Sequence, residues 1–187
     1  MQVSILCGGK SSRMQSEKGL VLYKNIPFIE HIIDAVLPIT SKIQLITNSC
    51  NYDYLKYDTI NDIIIDKGPI GGIYTAIVHS NAELNLILSC DIPLISTKII
   101  QELIEKHTSS FDVSIFEETN RVHPLIGIYS KKLVPVLKKS IESNELKMMH
   151  FISNVNHQLI WIEDENKQQF QNINSLLELE ELNTKYN

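Results

Sequence analysis

Leu6-Cys7-Gly8-Gly9-Lys10-Ser11-Ser12-Arg13-Met14-Gln15-Ser16-Glu17-Lys18-Gly19-Leu20 follows a short apolar run, Val3-Ser4-Ile5-Leu6, that begins almost at the N-terminus. The run reads as a buried strand. It stops at two adjacent glycines, and Arg13 and Lys18 follow close behind. Glycines let the backbone approach a ligand and present its N–H groups with no Cβ in the way. The two cations supply charge for a phosphate chain. Together they make a polyphosphate cradle. An ordinary βα turn with basic surface residues would share the glycine pair and a lysine, but not the whole ordered string.

Working outward, strand-like and helix-like segments alternate to the end of the chain. The strand candidates are Val3–Cys7, Ile43–Thr47, Asp62–Asp66, Leu86–Cys90, Val113–Phe116, Leu125–Tyr129 and Gln158–Ile162. Pro27 opens a helix with Phe28, Ile29, Ile32, Ile33 and Val36 on its apolar face. A second helix, Ile73–Ser80, follows a glycine turn. Ser96 or Thr97 caps a third that runs to His107. Lys131–Ser143 is a fourth, with Pro135 in its first turns. Ser175 and Glu178 form a capping-box spacing ahead of Leu176, Leu177, Leu179 and Leu182. This alternation predicts an α/β fold: a three-layer αβα, Rossmann-like arrangement with a mostly parallel sheet of about seven strands. With no repeat or linker, residues 1–187 read as one domain.

Composition narrows the function classes. The chain is 43% apolar and 21% charged, ordinary for a globular protein, with a formal net charge of −5. No basic run suggests a nucleic-acid surface, so a cationic ligand site must be local. Polar residues interrupt the first apolar run and Gly8 closes it, unlike a signal peptide, and no stretch approaches a membrane span. Cys7, Cys50 and Cys90 lack Cys-x-x-Cys spacing, and two of them end apolar runs, where reduced, buried thiols are expected. A cytoplasmic protein is the default expectation.

In such a sheet ligands gather at the carboxyl ends of the strands. Cys7-Gly8-Gly9, Thr47-Asn48, Asp66-Lys67-Gly68-Pro69 and Cys90-Asp91 would share that edge. Asp91 ends a very apolar strand and needs compensation by a cation or donors. Mg²⁺ is the natural cation beside a triphosphate, since it takes one or two carboxylates with phosphate oxygens and water. Asp66 ends Ile63-Ile64-Ile65 in the same way and leads into Gly68-Pro69-Ile70-Gly71-Gly72, which suggests a nucleoside pocket or a plain tight turn. Asn48 offers a donor and an acceptor for base or ribose, and is equally at home in a turn. Arg121 suits an anionic acceptor, and His123 is a hydrogen-bonding or structural residue. Asn172 and Asn174 precede the last helix, as caps or, for Asn172, as part of a metal site.

These pieces, in order, resemble a known family. The Leu6–Met14 string with Lys18 is similar to the signature of nucleotidyltransferases of glycosyltransferase-A type fold. Asp66 with Gly68-Pro69-Ile70-Gly71-Gly72, Cys90-Asp91-Ile92-Pro93, His123-Pro124-Leu125 and Asn172-Ile173-Asn174 extend the likeness to the molybdenum cofactor guanylyltransferase family. Cys7, Gln15 and Glu17 depart from the usual Ala, Gly and Asp. The resemblance implies GMP transfer from GTP to molybdopterin or Mo-molybdopterin with Mg²⁺, and an association with other cofactor-assembly proteins. It implies GTP binding by Leu6, Cys7, Gly8, Gly9, Lys18, Asn48, Asp66, Gly71 and Asp91, catalysis by Lys18, Arg13 and Asp91, and metal binding by Asp91. Arg121, His123, Asn172 and Asn174 become the acceptor side. A nucleotidyltransferase using CTP or a sugar phosphate, and a non-catalytic nucleotide-binding regulator, are the alternative readings.

Overall fold

The computed structural model describes residues 1–8, 10, 11, 16–119 and 121–185. Seven strands form one sheet: β1 (Gln2–Leu6), β2 (Ile43–Ile46), β3 (Asp58–Ile60), β4 (Leu84–Ser89), β5 (Val113–Glu118), β6 (Arg121–Ser130) and β7 (His157–Trp161). Their spatial order is β7-β5-β6-β4-β1-β2-β3. Strand β6 runs antiparallel to both its neighbours, and every other pairing in this sheet is parallel. The six helices are α1 (Phe28–Val36), α2 (Gly68–His79), α3 (Thr97–Lys106), α4 (Val134–Glu142), α5 (Met148–Ser153) and α6 (Leu176–Lys185).

Period-two alternation feeds two apolar layers. Val3 and Ile5 of β1 and Leu86 and Leu88 of β4, with Cys7 and Cys90 just past their ends, pack with α1 and α3. Leu6 and Ile87 face the other way, toward α2, α4 and α5. Ser4 shares that second face, where Gln44 donates to its hydroxyl at 2.8 Å and to the Ala76 carbonyl at 3.0 Å. The predicted layers are therefore present. So are the apolar face of α1, the Ser96 cap of α3, Pro135 in the first turn of α4, and the Ser175/Glu178 capping box.

Two expectations are corrected. Asp62–Asp66 is not a strand: the ladder with β2 is made by Asp58–Ile60, Gln44 pairing with Asp58 and Ile46 with Ile60. The amides of Asp62 and Ile63 are taken by Asn48 Oδ1 and Thr75 Oγ1, and Ile65 is 67% exposed. A segment whose first two amides are spent on side chains does not continue the ladder. The second helix begins at Gly68 rather than Ile73. Gly68, at φ +55°, is the first residue of the helix and Pro69 follows in its first turn. The glycine-rich string is thus the first turns of α2. A Cβ on Gly72 would lie 3.4 Å from Leu6, so this helix sits close against the end of β1.

Candidate active site

The parallel strands β1, β2, β3 and β4 bring Cys7, Thr47 and Cys90 to one sheet edge, and Asp91 stands just past β4 there. Asp91 is only 5% exposed, and three donors satisfy its carboxylate. Ser89 Oγ donates to Oδ1 at 2.6 Å, and Asn172 Nδ2 donates to the same oxygen at 2.8 Å. Lys18 Nζ donates to Oδ2 at 2.9 Å and also to Asn174 Oδ1. The Asp91 carbonyl accepts from Ile173 N at 2.9 Å, tying the 172–174 segment to the strand end. Charged hydrogen bonds of this kind offset the cost of burying a carboxylate.

Asn172 continues the network outward, its Oδ1 accepting from Arg121 Nη2 at 2.7 Å. Arg121 begins β6, which the sequence suggested would start only at Leu125. The register of β6 against β5 slips between His123 and Gly127, and the Tyr129 hydroxyl donates to the Pro124 carbonyl at 2.5 Å inside that bulge. A cavity of about 150 Å³ opens there, lined by Ser89, Arg121, His123, Pro124, Leu125 and Asn172 among others. His123 is 4% exposed, its Nε2 lies 3.0 Å from Glu118 Oε1, and its ring rests against Phe170. Burial holds His123 below the usual imidazole value, with the Glu118 hydrogen bond pulling upward and the Arg121 charge downward.

The site residues read from sequence fall into groups. Lys18, Asp91, Asn172 and Asn174 meet directly, and Arg121 and His123 stand beside them. The two asparagines hold the Asp91–Lys18 pair, Asn172 on the carboxylate and Asn174 on the ammonium. Leu6 and Cys7 are buried and Gly8 is exposed, while Gly9 and Arg13 lie outside the described residues. Burial pushes the Cys7 thiol up, with Cys90 beside it adding to the effect. Asn48 Nδ2 donates to Asp62 Oδ2 at 3.0 Å, so part of its amide is already used. Asp66 adopts φ +59° just before α2, and Gly71 sits in the second position after Pro69.

Sequence reasoning missed Ser89, Glu118 and Asp62, which touch the candidate residues from two, five and fourteen positions away. The Ser-x-Asp spacing at a strand end was the one available signal. A single divalent cation fits the donor set at Asp91: one carboxylate with a lone pair to spare, leaving room for phosphate oxygens and water. No group of three or more His, Cys, Asp or Glu poised around a metal occurs among the described residues. Nor is any helix among them long and apolar enough to cross a membrane.

The match to known proteins is extensive. Residues 3–158 fit the model of a "MobA-like NTP transferase domain". A probable molybdenum cofactor guanylyltransferase from Flavobacterium johnsoniae is 60% identical over 179 residues, spanning 96% of this chain and 94% of that protein. One from Carboxydothermus hydrogenoformans is 34% identical over 86% of this chain and 81% of its own length. The crystal structure of molybdopterin-guanine dinucleotide biosynthesis protein A from Archaeoglobus fulgidus superposes with a TM-score of 0.83 at 20% identity, covering 99% of this chain and 98% of that one.

Proposed function

This chain belongs to the molybdenum cofactor guanylyltransferase family and is a nucleotidyltransferase; on that premise we propose how its residues divide the work. An oxygen of the terminal phosphate of molybdopterin, or Mo-molybdopterin, attacks the α-phosphorus of GTP. The bond from that phosphorus to the α,β-bridging oxygen breaks, and pyrophosphate leaves. No protein nucleophile is required, because such transfers rest on positioning and charge stabilisation.

The observation that supports this reading is the meeting of Lys18 and Asp91 through Asn172 and Asn174, with Arg121 next in line. An ammonium has three N–H donors, and Lys18 spends two of them here, so one remains for a phosphate oxygen. The Gly8 and Gly9 amides and Arg13 complete the triphosphate side. Asn48, Asp66 and Gly71 take the nucleoside, with Leu6 and Cys7 forming the floor beneath. Asp91 would hold Mg²⁺, which when bound neutralises charge building on the leaving pyrophosphate. Arg121, beside the cavity, pairs with the acceptor's phosphate, and His123 shapes the pocket wall. The setting is cytoplasmic, and other cofactor-assembly proteins would supply the acceptor.

Pyrophosphate release is the test, with the four nucleoside triphosphates each paired with molybdopterin and with several sugar phosphates. GTP with molybdopterin should dominate. Equal use of CTP, or turnover on a sugar phosphate, would sink the assignment.

A further inference from the structure

Glu17 stands next to Lys18, yet its side chain goes the other way. Its backbone is extended (φ −67°, ψ 127°) just before a 3-10 turn over Lys18–Leu20, and the two side chains take different partners. Glu17 Oε1 accepts from Ser49 Oγ at 2.7 Å and from Asn51 Nδ2 at 2.8 Å, both just beyond β2. Its backbone pairs with Lys10 at the base of the glycine loop. On the other flank, Gly19 is pressed between Tyr52 and Cys90: a Cβ there would lie 2.8 Å from the Tyr52 hydroxyl and 3.4 Å from Cys90 Cβ. Glu17 Oε2 is buried near the Tyr52 side chain, with no well-formed hydrogen bond among the described residues. A carboxylate oxygen left in that state costs free energy, so the two bonds on Oε1 must hold the group in place.

We propose that Glu17 is a positioning residue: by anchoring to Ser49 and Asn51 it holds the Lys18 ammonium at the nucleotide site. Residues 17–19 then act as a strut. One end is bolted to the segment after β2, the middle projects Lys18 to Asp91 and Asn174, and the far end is wedged against Tyr52. The anchor also closes the base of the glycine loop, because the same residue carries the pairing with Lys10. This inference rests on reading Lys18 as a triphosphate contact.

Kinetics with GTP and molybdopterin, together with calorimetric GTP binding, test it on four proteins: Glu17→Ala, Glu17→Gln, Lys18→Met and the Glu17→Ala/Lys18→Met double variant. Glu17→Ala should lower kcat/KM for GTP by roughly ten- to a hundredfold, the scale of a misplaced contact, and weaken GTP binding while sparing the acceptor KM. Glu17→Gln retains an amide oxygen able to accept from Ser49 and Asn51, and should recover most of the loss. With Lys18 already gone, Glu17→Ala should add almost nothing. A full multiplicative loss in that background would overturn the proposal, as would Glu17→Gln falling as far as Glu17→Ala. Ser49→Ala combined with Asn51→Ala removes the anchor from the opposite wall and should reproduce the GTP defect; wild-type values there would also overturn it. An unchanged GTP response in Lys18→Met alone would instead bring down the triphosphate reading, and this proposal with it.

Discussion

Asn172 donates to Asp91 at 2.8 Å while accepting from Arg121 at 2.7 Å, so one amide spans the gap between the buried carboxylate and the guanidinium at the cavity. Each bond involves a charged partner, worth about 1.5–3 kcal/mol when lost. Asn172→Ala should therefore lower kcat/KM about ten- to a hundredfold for both substrates, each 1.4 kcal/mol being a factor of ten. Steady-state kinetics with each substrate varied in turn would check it. A defect confined to one substrate would contradict the bridging role.

Lys18 and Asp91 carry the heaviest load in the proposed mechanism. Lys18→Met and Asp91→Ala should each reduce single-turnover rates by roughly 10²–10³, the cost of losing one preorganised contact to developing charge. Asp91→Ala should also shift the Mg²⁺ concentration needed for half-maximal rate upward. Near-normal rates in Asp91→Ala at low Mg²⁺ would remove it from the metal role.

Gly19 has no room for a methyl group, since a Cβ there would lie 2.8 Å from Tyr52 Oη and 3.1 Å from Tyr52 Cε1. Gly19→Ala should destabilise the fold by about 1–3 kcal/mol, the usual cost of overpacking. Adding Tyr52→Phe removes the closest atom and should restore part of the melting temperature. Thermal melts of the single and double variants decide the point, and no recovery would place the strain elsewhere.

The bulge in β6 depends on Tyr129 and on Gly127, where a Cβ would meet Ile115 at 2.5 Å and the Ser114 carbonyl at 3.1 Å. Tyr129→Phe removes the donor to the Pro124 carbonyl and should raise the acceptor KM several-fold while leaving the KM for GTP near wild type. Equal changes in both would mean a general loosening of the sheet.

Burial depresses the pKa of both His107 and His123. The unfolded chain, with imidazoles near pKa 6.5, then binds more protons than the folded one as acidity rises. The stability these residues contribute is complete above about pH 6.5 and is lost as pH falls through that value toward their folded-state pKa values. Melting temperatures should drop on acidification below about pH 6.5, and the drop should shrink in a His107→Gln/His123→Gln variant. A double variant with the same acid slope would show that other groups dominate.

Much of this was legible in the chain itself. The β1–glycine turn, the apolar strand ending at Asp91, and the amphipathic faces of α1 and α3 all follow from short-range patterns. The Asp62–Asp66 segment misled because three isoleucines in a row look like a strand, whereas Asn48 and Thr75, distant in sequence, claim its amides. The reversed direction of β6 left no mark in residue order, since hydrophobic alternation has no polarity. The grip of Ser49 and Asn51 on Glu17, and of Asn172 on Asp91, joins residues 32 to 81 positions apart and becomes visible only in three dimensions.

The one antiparallel strand of the seven-stranded sheet shapes what this architecture can become. Parallel strands deliver the ends of β1 and β4 to the working edge, but β6, running backwards, delivers its beginning, Arg121 to Pro124, together with the tight hairpin from Glu118. A hairpin tip tolerates changes of length and sequence that a crossover between parallel strands does not. Under the proposed division of labour, variation at that tip would remodel the acceptor side while the Lys18–Asp91 pair stays put. On that proposal one sheet edge would hold a fixed donor half beside an adjustable acceptor half, which suits a scaffold that must keep one chemistry while changing what receives it.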